Sequence, residues 1–353
     1  MRRVRLLAAL GITAGLAIAG LPGLASALPT GSAGPAAASA PPGLIAHHAR
    51  GCGPGVIVYT PRRPGTQPSA KALGLPGGPG SILALAARWH ARWMSTLTCE
   101  GGPEGMRANP PRATATSGSV NWSGYQSSSP GPNFATAAWR VPKVCCSFKG
   151  NDASVIWPGV GDAAVKHTAL IQDGTAQYVS SRSRPSYFFW FETFPRTGIK
   201  RIKSLVPRPG DEVMVSASYA TQTAGTASYV LCDGRVHNCV DFGLKTMRPD
   251  GKVEWIAERP TVCRGGHEWY PPMADFVNPT LRITDGRYDI NGSGSPIFPI
   301  SHGHPVRIFM TDNQVRIATP QGLTSHGTAF KIIQNSPGKW IELKNKRGNP
   351  INC

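Results

Sequence analysis

Val253-Glu254-Trp255-Ile256-Ala257-Glu258 reads as a β-strand, and the side its glutamates take decides the reading of the rest. Alternation along a strand puts Glu254, Ile256 and Glu258 on one face. Leu170-Ile171-Gln172-Asp173-Gly174 reads the same way, with Leu170 and Gln172 sharing a face. Laid side by side in a concave sheet, two such strands present a carboxylate and a primary amide. That pair is able to activate a water and to polarise a carbonyl.

Outward from these two segments, residues 113–353 keep one texture. Runs of β-branched and aromatic residues recur at Phe134 to Val141, Ala153 to Trp157, Tyr187 to Phe194, Glu212 to Tyr219, Thr226 to Leu231, Pro305 to Met310 and Ala329 to Gln334. Gly, Pro, Asp and Asn punctuate them, and none holds a helical period beyond a turn or two. A stretch of this length made of short strands is an all-β domain, a large antiparallel β-sandwich with room for a substantial core.

The N-terminal part differs. Arg2, Arg3 and Arg5 precede an apolar run from Leu6 to Leu21, and Ala25-Ser26-Ala27 supplies a small-residue cleavage pattern, so residues 1–27 read as a secretory signal. Residues 28–112 are rich in Pro, Gly and Ala and read as a pro-segment ending near Pro110-Pro111-Arg112. Within it, Gly55 to Tyr59 is strand-like. Ser81 to Leu97 is helix-like, with Ile82, Leu83, Leu85, Ala86, Trp89 and Trp93 at helical spacing. No Asp or Glu occurs before Glu100. A basic segment covering an acidic cleft has this composition, and so does a solvated leader.

The formal net charge of +18 invites a nucleic-acid partner, but the basic residues are dispersed and form no recognition-helix pattern, so none is expected. Nor is a membrane partner expected once the signal is lost; the expected form is a secreted, soluble monomer. Eight cysteines fit an oxidising compartment. Cys232 and Cys239 flank Asp233-Gly234 and are placed to close a hairpin, and Cys52 and Cys99 are candidates for a second bridge. The other four are open in their pairing. No Cys-x-x-Cys or His-x-x-x-His spacing suggests a metal, and no organic cofactor is implied.

An ordered series of segments runs through Asn121-Trp122-Ser123-Gly124-Tyr125, Ala138-Trp139-Arg140-Val141-Pro142, Val155-Ile156-Trp157-Pro158-Gly159-Val160-Gly161, Ala169 to Gly174, Trp190-Phe191-Glu192-Thr193-Phe194-Pro195, Pro209-Gly210-Asp211-Glu212 and Glu254 to Glu258. It resembles the eqolisin family, the glutamic peptidases of peptidase family G1, as a secreted bacterial-type member. The resemblance implies a lectin-like sandwich of two large antiparallel sheets with the cleft on a concave face. It implies hydrolysis of proteins or peptides at acidic pH, with Glu258 and Gln172 as the catalytic pair. Trp157, Trp190 and Glu192 are expected to line the same cleft and bind substrate. The series departs from fungal members at Gly161, where they often carry Asp, at Arg259, where an acidic residue is common, and in its basic composition. Two other readings of these residues exist. One is a sandwich glycoside hydrolase using Glu192 and Glu258, which needs carboxylates roughly 5–10 Å apart. The other is a non-catalytic carbohydrate-binding module built on its Trp and Tyr residues.

Overall fold

Two antiparallel sheets packed face to face account for nearly all of the regular structure. The computed structural model describes residues 40–73, 75, 81–112, 118–128, 133–146, 150–162, 168–180, 184–220, 225–289, 296–312 and 315–353. The signal assigned to 1–27 lies outside the described residues, as do 28–39 of the pro-segment and the stretch 113–117 at which the following domain was taken to begin.

Among the described residues the larger sheet has 12 strands and the smaller 8. In the smaller sheet the order is Val306–Ile308, Trp122–Ser128, Lys252–Glu258, Asp152–Val160, Leu170–Val179, Pro185–Phe194, Lys200–Ile202, Cys99–Gly101. The strands Phe134–Arg140 and Glu212–Ala220 of the larger sheet lie against Asp152–Val160 and Leu170–Val179. The interior between them is filled by Trp139, Ile156, Val160, Ile171, Phe189, Phe191, Val215, Tyr229, Phe242 and Trp255, all buried. Each such side chain removed from water contributes about 1.5–3 kcal/mol, and period 2 sorts them from their neighbours. Ile156, Ile171, Phe191 and Trp255 face inward, while Trp157, Leu170, Trp190 and Ile256 join a second apolar cluster on the outer face.

Gly174 permits the tightest approach within this sheet. A Cβ there would stand 1.9 Å from the Ile156 carbonyl oxygen, so any side chain would force apart the strand that carries Gln172 and its neighbour.

Residues 40–112 build onto both sheets. Leu44–His48 and Ile57–Pro61 form the terminal hairpin of the larger sheet, pairing with Asn238–Lys245, and Cys99–Gly101 is the terminal strand of the smaller one. The helix expected over Ser81 to Leu97 is shorter, Ile82–Arg88, capped by the Ser81 hydroxyl accepting from the Ala84 amide. His90 takes a left-handed φ of 49°, and Arg92–Trp93 then pairs in parallel with Asn238–Cys239. A sheet partner outcompetes continuation of the apolar period. The run Pro305 to Met310 is also divided, with Val306–Ile308 in the smaller sheet and Met310–Asp312 in the larger.

The disulfides Cys52–Cys99 and Cys232–Cys239 form as expected, and Cys263–Cys353 is a third. Cys145 and Cys146 are free.

Candidate active site

Strand register brings the key side chains together. Gln172 stands directly opposite Glu192 across one ladder and opposite Gly159 across the other. Glu258 pairs with Val155 and with Trp122, and Ile256 stands opposite Trp157. Gln172, Glu192, Trp157, Trp190 and Glu258 therefore project from one face of four successive strands, the face opposite the sandwich interior. All five are fully buried.

Glu258 accepts from three donors. The Trp157 Nε1–H reaches its Oε2 at 2.9 Å, and its Oε1 accepts the Asn109 main-chain N–H at 2.8 Å and the Asn121 Nδ2–H at 3.4 Å. Trp122 packs edge-on against Trp157, ring centroids 5.0 Å apart, and so fixes the indole that donates. Glu192 Oε2 accepts the Ala108 main-chain N–H at 2.8 Å and the Gln172 Nε2–H at 3.3 Å. A primary amide has two N–H bonds, and among the described residues only one of those of Gln172 meets an acceptor.

Burial is the largest influence on both carboxyls and pushes each well above the usual carboxylate range. For Glu258 the donated hydrogen bonds pull the other way; for Glu192 the Ala108 N–H does so, while the charge of Glu258 pushes it higher still. Two buried carboxyls that sense each other titrate as a pair, one proton at a time.

Glu254, on the same strand face as Glu258, lies apart from this group and accepts instead from Gln126 Nε2 at 3.1 Å. Arg259 turns away from Glu258: its Nε donates to the Pro271 carbonyl at 2.8 Å, its second guanidinium nitrogen to the Lys339 carbonyl, and Asp312 lies 3.9 Å away. Trp190 packs in the outer-face apolar cluster with Met106, Ala108 and Ile199, and its indole N–H meets no acceptor among the described residues.

The sequence reading missed Asn121 as a member of this site. It is fully buried, and it donates to Glu258 and to the carbonyls of Asn109 and Pro110 at 3.1 and 3.2 Å. Missed too were Thr261, whose main chain pairs with Arg107 and whose hydroxyl accepts from the Asn109 side chain, and the presence of residues 106–112 in the cleft. Asn121 had a signal in its place before Trp122; the occupying segment had only its basic, acid-free composition.

Comparison with known proteins places the chain in a family and a fold. The family model described as the Peptidase A4 family matches residues 120–321. Among solved structures, scytalido-glutamic peptidase with a peptide-based transition state analog aligns with a TM-score of 0.51 at 18% identity, covering 61% of this chain and 98% of that one. SCP-B, a member of the eqolisin family in complex with the tripeptide Ala-Ile-His, aligns with a TM-score of 0.48 at 18% identity over 61% and 98%. Aspergilloglutamic peptidase from Aspergillus niger gives 0.41 at 15% over 52% and 99%. No curated protein matches the chain. With its family match spanning more than half of the sequence, this chain belongs to the peptidase A4 family, the eqolisins, and is a glutamic-type endopeptidase acting on proteins or peptides.

Proposed function

We propose that Glu258 and Gln172 are the catalytic pair and that the enzyme works at acidic pH. The observation that carries this is the meeting of Glu258, Gln172 and Glu192 on one buried face, where each carboxyl already accepts a peptide N–H. Ionised Glu258 takes a proton from water as the oxygen attacks the substrate carbonyl carbon. Gln172 donates its second N–H to the oxyanion that forms, an interaction worth about 3–4 kcal/mol where comparable donors have been removed. Glu258 then returns the proton to the leaving nitrogen, and the C–N bond breaks. Glu192 holds the Gln172 amide in place through its own hydrogen bond. Trp157, Trp190 and Glu192 line the substrate-binding surface.

The reaction needs one proton on the carboxyl pair. Ionisation of the second carboxyl therefore sets the alkaline edge of activity. We place residues 1–27 as a removed signal and the following segment as a removed pro-segment, with the enzyme secreted. The three disulfides support an oxidising destination.

Casein digestion from about pH 2 to 7 tests this reading, with wild type, Glu258→Gln and Gln172→Ala compared with and without pepstatin. Pepstatin-resistant acid activity lost in both variants is expected. Full activity in Glu258→Gln would move the catalysis to other residues.

A further inference from the structure

We propose that residues Met106–Pro110 lie in the cleft as an intramolecular substrate and that the bond presented for hydrolysis is Ala108–Asn109. The inference rests on the catalytic assignment above and adds which bond the machinery cuts in its own chain.

The segment is held as an extended peptide between two walls. On one side the Ile199 amide donates to the Met106 carbonyl at 3.2 Å. On the other, Arg107 and Thr261 exchange both main-chain hydrogen bonds, at 2.9 and 2.7 Å. This is strand addition, the way an enzyme holds a peptide by main-chain atoms that every sequence supplies. Next along the chain, successive N–H groups meet the two carboxyls, Ala108 on Glu192 and Asn109 on Glu258. Asn121 then spans the far end, donating to the Asn109 and Pro110 carbonyls and accepting the Arg112 N–H at 3.0 Å.

The register follows from the acid. A leaving nitrogen has to lie within hydrogen-bond reach of the group that protonates it. Asn109 N is 2.8 Å from Glu258 Oε1, and it is the nitrogen of the Ala108–Asn109 bond. Water supplies a hydroxyl to the Ala108 carbonyl carbon and, through Glu258, a proton to the Asn109 nitrogen. The products are a carboxylate at Ala108 and an amine at Asn109.

Connectivity leaves this cut productive. Cys52–Cys99 lies wholly before the bond, and Cys232–Cys239 and Cys263–Cys353 wholly after it, so no bridge ties the two pieces. The hairpin Leu44–His48 with Ile57–Pro61 and the strand Cys99–Gly101 occupy sheet ends, where departure breaks one ladder each and opens no sheet in its middle.

The occupant also marks the subsites. Met106 and Ala108 are buried, 1% and 0% exposed, in the apolar cluster with Trp122, Trp157, Trp190 and Ile199, while Arg107 is exposed. The cleft therefore takes a small residue before the cut bond and an apolar one two positions earlier. The intervening side chain projects beside an open cavity of about 390 Å³ bounded in part by Thr261, Val262 and Glu268.

The test uses full-length secreted precursor, wild type and Glu258→Gln, brought to acidic pH and followed by intact mass and N-terminal sequencing, with casein hydrolysis measured in parallel. Wild type should yield a chain beginning at Asn109, and Glu258→Gln should remain whole at least a hundredfold longer. Added processed wild type should cut the Glu258→Gln precursor, or a synthetic peptide spanning Pro103–Arg112, at the same bond. Casein hydrolysis by a chain that stays whole, or that begins at Ala108 or elsewhere, overturns the register while leaving the catalytic pair intact. Loss of both casein hydrolysis and self-cleavage in wild type overturns the pair and the inference with it.

Discussion

Residues 40–112 cover the outer faces of both sheets, and they do so by different physics. On the larger sheet the cover is apolar: Ile82, Leu83, Leu85 and Ala86 of the helix share a buried cluster with Phe134, Ala138, Met214 and Val230. On the smaller sheet it is a single extended strand whose amides end on the carboxyls of Glu192 and Glu258. The first kind of contact is non-directional and accepts many side chains. The second positions a particular peptide bond against particular atoms. Both hide carboxyls, Asp241 under the first cover and Glu258 under the second, and burial raises the pKa of both. Only the second carboxyl stands against a group it can act upon.

The sharpest way to break the comparison is through the carboxyl under the strand. Glu258→Gln keeps size but cannot shuttle a proton, and its NH2 replaces one of the two oxygens that accept N–H donors, so kcat should fall by about 10³-fold or more, and Gln172→Ala by about 10²–10³-fold. Thermal stability should fall only slightly in Glu258→Gln, by the cost of that one lost acceptor, since an amide fills the carboxyl's space. A variant that loses stability and activity together would make this face structural, like the other.

Asp241 offers the converse. It is fully buried, accepts from the Ser228 hydroxyl at 3.2 Å, and burial pushes its pKa up to about 8. In the unfolded chain it ionises near 4. Its contribution to stability is therefore complete below about pH 4 and is lost as pH rises toward 8, at about 1.4 kcal/mol per pH unit. Asp241→Asn has nothing to titrate. Denaturant unfolding at pH 4, 6 and 8 should show the wild type losing several kcal/mol more than the variant across that range. Parallel losses would mean that Asp241 is ionised in the fold.

These contrasts also explain how far the sequence could be read. Period 2 was enough to put Trp190 with Glu192 on one face of their strand and Glu254 with Glu258 on one face of theirs, because a pleated strand leaves a side chain only two directions; that Gln172, Glu192 and Glu258 share one cleft came from the resemblance. The helix at Ser81 was visible from its apolar spacing, but its end was not. Arg92 and Trp93 leave the helix for a ladder with Asn238 and Cys239, a partner far away in the chain. The presence of Ala108 and Asn109 in the cleft was illegible for a deeper reason. The contacts are made by main-chain N–H groups, which every residue but proline carries, so side-chain pattern holds no trace of them. Asn121 lay between these cases, marked by its place before Trp122 but with its three acceptors set by the fold.

Thinning the apolar cover should cost less than losing the Asp241 pH dependence. Leu85 is 5% exposed, and Leu85→Ala removes buried methyl groups at about 2–3 kcal/mol, toward the low end for such sites because the cover lies at the molecule's edge. Urea unfolding should show that loss in the precursor, with the specific activity of processed enzyme unchanged. An equal loss of activity would couple the two covers.

The smallest effect, and the one that separates the two carboxyl environments most finely, is expected at Trp157. Its Nε1–H donates to Glu258 Oε2 at 2.9 Å, a bond that favours the ionised carboxyl and opposes the effect of burial. Trp157→Phe keeps an aromatic ring against Trp122 and removes the donor, so the pKa of Glu258 should rise. Activity requires Glu258 ionised to accept the water's proton, so the acidic limb of the kcat/KM profile should move to higher pH, by about one unit. The loss should reach about tenfold on the acidic side and shrink as pH rises toward the optimum. A ring that merely filled space would lower activity by the same factor at every pH. The shape of the profile, more than its height, decides whether Trp157 tunes the carboxyl or only packs beside it.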